Sequence, residues 1–271
     1  MNIVETQKIG DVEAIRLGYG PVGRPFMSVY LYVLEGLVID TGQSNMRKFV
    51  VDLLGEKKLD RILLTHHHED HSGNTAAICR QQTIQAYGHP ITIQKMASGF
   101  KIQPYQHFIW GRSETFKVLP LDPMVESNNF TIEPVHTPGH SKDHMVYWEK
   151  ENGWLFSGDL YLGTKIKYFR SDENIIEQIE SLKKVLTLDF DTLFCAHNPC
   201  LQDGQSKLRQ KLQFLEDIVG QIQELKAEGV SQRSIFKKLD PGVDRWAKLM
   251  TMGNVSFVNM LKSAYRMNKY D

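Results

Sequence analysis

One stretch restricts this chain more than any other. It is LLTHHHEDHSGN, residues 63–74, where six consecutive positions, His66 to His71, hold four imidazoles and two carboxylates directly after the apolar run RILLT. If RILLT is a short buried strand, His66 and His68 project to one side beyond it and His67 to the other, while Asp70 and His71 fall at the turn into the next helix. His67 is therefore set apart. The remaining pattern, HxHxDH, offers three imidazoles and a carboxylate, donors that suit Zn²⁺, Fe or Mn and lie within reach of two neighbouring ions.

The surrounding pattern alternates strands with helices. SVYLYVLEGLVIDTG (28–42) reads as two adjacent strands, and Met46, Phe49, Val50, Leu53 and Leu54 recur at helical spacing before Gly55. NTAAICRQQ is a predicted helix and TIQAYG (83–88) a strand; FTIEPV, WLFSGD and TLFCAH supply three more strands in the second half. Ser171 is the expected cap of a helix whose Ile175, Ile176, Ile179, Leu182, Val185 and Leu186 share one face, with Glu180 and Lys184 paired outside. From about residue 205 the pattern is helical to the end. There is no fixed-period repeat and no low-complexity linker. At 271 residues, 41% apolar and 24% charged, the chain can bury a sizeable core. The expected architecture is a mixed α/β sandwich over residues 1–204 with a helical extension over 205–271.

Further donors stand in equivalent places. His140 follows FTIEPV, Asp159 follows WLF and His197 follows TLFCA, each just beyond a short apolar run, where α/β folds gather their functional groups. Seven donors at strand ends favour a metal centre over seven separate turn caps. A structural zinc site closes four ligands around one ion, whereas seven donors leave open positions for chemistry.

In their order, DTG (40–42), HHHEDH (66–71), TPGH (137–140), SGD (157–159) and AHNP (196–199) resemble the metallo-β-lactamase-fold hydrolases over roughly residues 10–200. The resemblance implies a four-layer αββα sandwich with a two-metal site at one edge of the paired sheets. It assigns His66, His68 and His140 to one ion, Asp70, His71 and His197 to the other, and Asp159 to both. It further implies a hydroxide between two divalent ions, most readily zinc with iron or manganese as alternatives, attacking an ester, thioester or lactone of a small molecule. Asp70 is the candidate proton carrier alongside its ligand role. Asp40 is the expected carboxylate behind a ligand histidine, and His67, His136 and His144 are expected to hydrogen-bond around the ligands. Zinc β-lactamases resemble this pattern but carry cysteine where Asp159 stands; flavodiiron proteins carry glutamate where His68 stands. Glyoxalase II enzymes share the metal motifs but not the AHNP context. TPGHSKDHM and LFSGDLYLG also resemble lactamase-beta-like endoribonucleases, so a phosphodiesterase is the alternative activity.

Candidate substrate contacts come from three places. Tyr161, two residues past Asp159, stands where lactone hydrolases of this superfamily hold the substrate carbonyl; a core-filling tyrosine is the alternative. Residues 99–116 form a long aromatic connection, expected without regular structure, with Phe108 and Trp110 as contacts. Lys165, with Lys167 and Arg170, could meet an anionic group.

With 32 basic and 32 acidic side chains, no global field draws in nucleic acid or an anionic membrane. Residues 201–271 carry 12 Lys or Arg against 8 Asp or Glu, too small an excess to indicate RNA. The extension is expected to pack on the sandwich, wall the site or form a homodimer contact. MNIVETQKIGDVEAI lacks the pattern of a secretory signal, and three cysteines without a CxxC pair suit a reducing compartment, so a cytoplasmic location is expected.

Overall fold

Strands that are apolar on both faces need cover on both, and two stacked sheets between helices provide it. The computed structural model describes residues 1–127 and 129–266. One sheet has seven strands in chain order: β1 (Ile3–Ile9), β2 (Val12–Gly18), β3 (Val29–Leu34), β4 (Leu37–Ile39), β5 (Arg61–Leu63), β6 (Gln85–Gly88) and β7 (Leu119–Pro120). The second comprises β8 (Val125–Ser127), β9 (Phe130–His136), β10 (Met145–Glu149), β11 (Trp154–Gly158) and β12 (Thr192–Cys195), ordered from β8 at one edge to β12 at the other. Strands β4 to β7 are parallel, as are β11 and β12, so several connections leave from the same end of the sandwich.

Between the sheets, Tyr32, Leu37, Ile39 and Leu63 of the first meet Tyr147, Phe156 and Phe194 of the second. Phe156 and Phe194 stack with centroids 4.8 Å apart. Two buried phenols tie one sheet to the other: Tyr32 donates to the Cys195 carbonyl and Tyr147 to the Leu64 carbonyl, each at 2.6 Å. A buried tyrosine needs such an acceptor, because its unpaired hydroxyl is costly.

The outer face of the first sheet is covered by α1 (Arg47–Gly55), α3 (Thr75–Gln82) and α4 (Pro90–Ser98), whose Val50, Leu54, Ile78 and Met96 close a second apolar cluster. The short α2 (Glu69–Ser72) carries the ligand run, and α5 (Pro104–Ile109) lies in the connection expected to be irregular. Pro104 at its first turn and the Gln103 amide donating to Gln106 Oε1 at 2.8 Å account for that helix.

The second sheet is covered by α6 (Ile175–Val185), α7 (Gly204–Ala227), α8 (Gln232–Leu239) and α10 (Phe257–Tyr265), with α9 (Arg245–Met250) beside them. Leu208, Leu215, Ile222, Phe257 and Met260 of the extension share one cluster with Ile175, Leu182 and Leu193, so the extension completes the fourth layer. Lys211 of α7 is fully buried, and its Nζ donates to the Leu160 carbonyl at 2.6 Å; burial pushes its pKa down to about 8.

Ser171 does not cap α6. Asn174 does, its Oδ1 accepting from the amides of Ile176 and Glu177 at 3.0 and 3.4 Å, because it stands immediately before the first helical residue. Ser171 instead pairs with Asn254, its Oγ 3.0 Å from Asn254 Oδ1 and its amide donating to the Asn254 carbonyl at 2.8 Å. Lys184 donates to the His136 carbonyl at 3.1 Å, and no ion pair with Glu180 forms among the described residues. The cysteines Cys79, Cys195 and Cys200 are free thiols. Among the described residues, no helix is long and apolar enough to cross a membrane.

Candidate metal centre

The seven donors meet where β5, β9, β11 and β12 end. His66 Nε2 lies 2.8 Å from His68 Nδ1, which lies 3.1 Å from His140 Nε2. A second set forms around His71 Nε2, with Asp70 Oδ2 at 3.7 Å from it and 3.2 Å from His197 Nε2. Asp159 stands between the sets. Its Oδ2 is 3.2 Å from His140 Nε2, and its Oδ1 is 3.4 Å from His71 Nε2 and 3.5 Å from His197 Nε2.

The outer nitrogens fix which ring atom keeps its lone pair. His71 Nδ1 donates to Asp40 Oδ2 at 2.7 Å, and His197 Nδ1 to the Ser28 carbonyl at 2.8 Å. Thr65 Oγ1 gives its proton to Asp40 Oδ2 at 2.7 Å, so His66 Nδ1, 3.0 Å away, is the donor to that hydroxyl. In each ring Nε2 is turned inward, where its lone pair is available to a cation once any proton is displaced. His140 Nδ1 lies 3.5 Å from Glu173 Oε1. Asp40 also accepts from the Thr65 amide at 2.8 Å, and it holds a left-handed φ of 60° that aspartate tolerates better than most residues.

Electrostatics divide the donors: against the effect of burial, Asp159 with Asp70 raises His71 and His197, and Glu173 with Asp159 raises His140, above the usual histidine range, so these three imidazoles carry a proton that a cation would replace. Burial and the neighbouring imidazoles push His66 and His68 well below the usual histidine range, which leaves them neutral ligands. Burial alone would raise Asp159, but His197, His71 and His140 hold it well below the usual carboxylate range. His71 Nε2 and Asp159 Oδ1 are buried and have no hydrogen-bond partner among the described residues. Inward lone pairs, an ionised carboxylate and such orphaned atoms fit divalent cations and fit a packed polar core poorly. The donor atoms of His66, His68 and His140, of His66, His71 and Asp159, and of Asp70, His71 and His197 each lie within 4.8 Å of one another.

His67 stands apart from the donors and is held elsewhere: its amide and its Nδ1 both meet Asp143 Oδ2 at 2.9 Å. His144 holds the backbone of Asp159, its Nε2 accepting from that amide at 3.0 Å. Gly158 makes this possible, since at φ 47° a Cβ would lie 2.8 Å from His144 Nε2 and 3.0 Å from Thr65 Cβ. His136 takes no part around the ligands. It stacks on His89 with centroids 4.5 Å apart and bonds the Lys142 carbonyl, because the last residues of β9 splay it outward.

Among the candidate substrate contacts, Trp110 is 7% exposed with its ring centroid 6.0 Å from that of His197, so it walls the second set. Phe108 is 58% exposed on α5, and Lys165 is exposed on the loop after Asp159. Tyr161 is 4% exposed and packs in the cluster beneath α6 and α7, as the core-filling alternative expects.

Four participants have no clear sequence signal. Asp143 and Glu173 are single acidic residues whose partners lie 76 and 33 positions away. Glu69 sits inside the motif, yet only the fold reveals that it is buried, accepts from Gln106 Nε2 at 2.7 Å and is pushed up to about 7 by burial and by Asp70. Tyr105, on α5 beside Gln106, accepts from Asn254 Nδ2 at 3.3 Å, which brings the extension against the segment that covers α2.

The family model described as the metallo-beta-lactamase superfamily matches residues 24–197. A beta-lactamase-like protein 2 homolog of Drosophila melanogaster is 29% identical over 213 residues, 71% of this chain and 66% of that protein. An atrochrysone carboxyl ACP thioesterase of Aspergillus fumigatus is 28% identical over 213 residues, 72% of this chain and 59% of that protein. The chain thus spans less than two thirds of the length of these curated relatives. A metallo-beta-lactamase from Pontibacter korlensis has the same fold, with a TM-score of 0.62 at 16% identity, covering 79% of this chain and 100% of that one. From the ordered motifs, the four layers and the match over residues 24–197, the chain belongs to the metallo-beta-lactamase superfamily.

Proposed function

We propose that this protein is a dinuclear metal-dependent hydrolase that cleaves an ester, thioester or lactone bond of a small molecule. One observation carries the reading: the two oxygens of Asp159 face different donor sets, Oδ2 toward His140 and Oδ1 toward His71 and His197. A carboxylate so divided suits two ions better than one. His66, His68 and His140 would hold the first, Asp70, His71 and His197 the second, and zinc suits these donors best, with iron or manganese as alternatives. When bound, the ions supply a Lewis acid for the substrate oxygen and a source of nucleophile at neutral pH.

The chain's own groups do the rest. His71 and His197 keep Asp70 ionised against the effect of burial, so a carboxylate oxygen is available to take a proton and pass it to the leaving group. Trp110 excludes water beside His197 and offers an apolar face to an acyl group. The thioesterase among the relatives supports acyl chemistry, and the near balance of charge in the chain offers little to a polyanion.

The test is hydrolysis of a panel of acyl thioesters, esters and lactones beside a labelled single-stranded RNA, by zinc-loaded protein. Turnover of the acyl panel alone, abolished by chelation and restored by zinc, is the expected result. Chelator-sensitive cleavage of the RNA, with the acyl panel untouched, would overturn the reading in favour of phosphodiester hydrolysis.

A further inference from the structure

Behind the ligand run lies a cleft of about 480 Å³ that the proposed reaction does not use. Ser44, Arg47, Arg112, Ser113, Glu114 and Thr115 line it. Glu114 is paired with Arg47 and, at 2.7 Å, with Arg80. Two guanidinium groups thus share one carboxylate, and with Arg112 the cleft and its ion-pair partners carry two positive charges in excess. Arg47 Nε is buried without a hydrogen-bond partner among the described residues. Arg112 is exposed at the rim, its position set by its amide donating to Ser44 Oγ at 2.8 Å.

We propose that this cleft is an anion site for the phosphate group of a small phosphorylated molecule, separate from the metal centre. The donor set decides the class. The Arg112 guanidinium, the unpartnered Arg47 Nε and the hydroxyls of Ser44 and Thr115 present several N–H and O–H groups to a compact tetrahedral dianion, whereas a carboxylate would use only one plane of them. The volume exceeds that of a bare phosphate and falls in the range of small-molecule pockets. The site is also wired to the metal ligands. Ser113 Oγ lies 2.8 Å from Ser72 Oγ, next in sequence to His71, and Arg47 Nη2 reaches the Gly73 carbonyl at 3.4 Å. The Asn45 amide donates to the carbonyl of Trp110 at 3.3 Å, and the segment that walls the metal centre at Trp110 continues into the cleft lining at Arg112 to Thr115. Filling the cleft therefore fixes the segment that carries Trp110.

Calorimetric titration of the zinc-loaded protein with glycerol 3-phosphate, and with glycerol as the uncharged control, tests this. Saturable binding of glycerol 3-phosphate alone, weakened roughly tenfold or more in Arg112→Ala, is expected, because one charge-assisted contact is lost. Ser113→Ala is expected to weaken it less. Absence of binding, or equal binding in wild type and Arg112→Ala, would overturn the proposal; equal binding would place the anion on the metal ions instead. These outcomes are independent of whether the protein turns over acyl substrates.

Discussion

Asp159→Ala is expected to lower turnover by roughly 10³-fold, the scale seen when one preorganised charge is removed from an active site. The side chain has no substitute in this structure. Its two oxygens reach both donor sets, Oδ2 lying 3.2 Å from His140 Nε2 and Oδ1 3.4 and 3.5 Å from the Nε2 atoms of His71 and His197. Without it, two donor sets remain but nothing joins them, and the positive charge brought by two ions loses the carboxylate between them. Asp159→Asn keeps the volume and one acceptor oxygen, so it is expected to retain more metal than alanine while remaining slow. Initial-rate assays at equal zinc loading check both, and a rate within tenfold of wild type for alanine would mean that Asp159 is a packing residue.

Asp143→Ala is expected to cost about 3 kcal/mol or more of stability, because each buried donor left without its acceptor costs about 1–3 kcal/mol. Asp143 is fully buried and accepts from the His67 amide at 2.9 Å, from His67 Nδ1 and, at 2.7 Å, from Thr92 Oγ1. Alanine leaves all three donors unpaired between the ligand run and α4. The effect depends on pH in a defined direction. Burial would raise the Asp143 pKa, but the bonds to His67 and Thr92 hold it well below the usual carboxylate range. The unfolded chain therefore binds the proton first as pH falls, so the stabilisation is full above the unfolded value of about 4 and declines as pH drops toward the folded one. Chemical denaturation of wild type and variant is expected to show a constant gap from pH 5 to 8 that narrows below about pH 4. Because both proteins keep the same ligand histidines, the difference reports Asp143.

The fold and the donors were legible in the sequence for one physical reason: both are written in short-range patterns. RILLT, WLFSGD and TLFCAH declare strands by short apolar runs and FTIEPV by alternation, and the donors follow those segments. The helix of residues 175–185 declares itself by period, although its cap does not, since Ser171 and Asn174 are both good cap residues and only the backbone chooses between them. The N-terminal hairpin of β1 and β2 was hidden because β1 is an edge strand whose middle five residues are exposed, so burial does not pattern it. The partners that orient the ligands were hidden for a different reason. Asp143 meets His67 across 76 residues and His197 meets the Ser28 carbonyl across 169, and no local period encodes such pairs. Tyr161 shows the ambiguity of residue type, since a tyrosine serves equally as a substrate contact or as filler for a core beneath two helices.

The central claim, two ions joined by one carboxylate, is tested most directly by counting metal. Chelated protein titrated with zinc, with bound metal measured by mass spectrometry after removal of free ion, is expected to take up two equivalents per chain in wild type and fewer in Asp159→Ala. A single equivalent in wild type, unchanged by the loss of Asp159, would contradict the account.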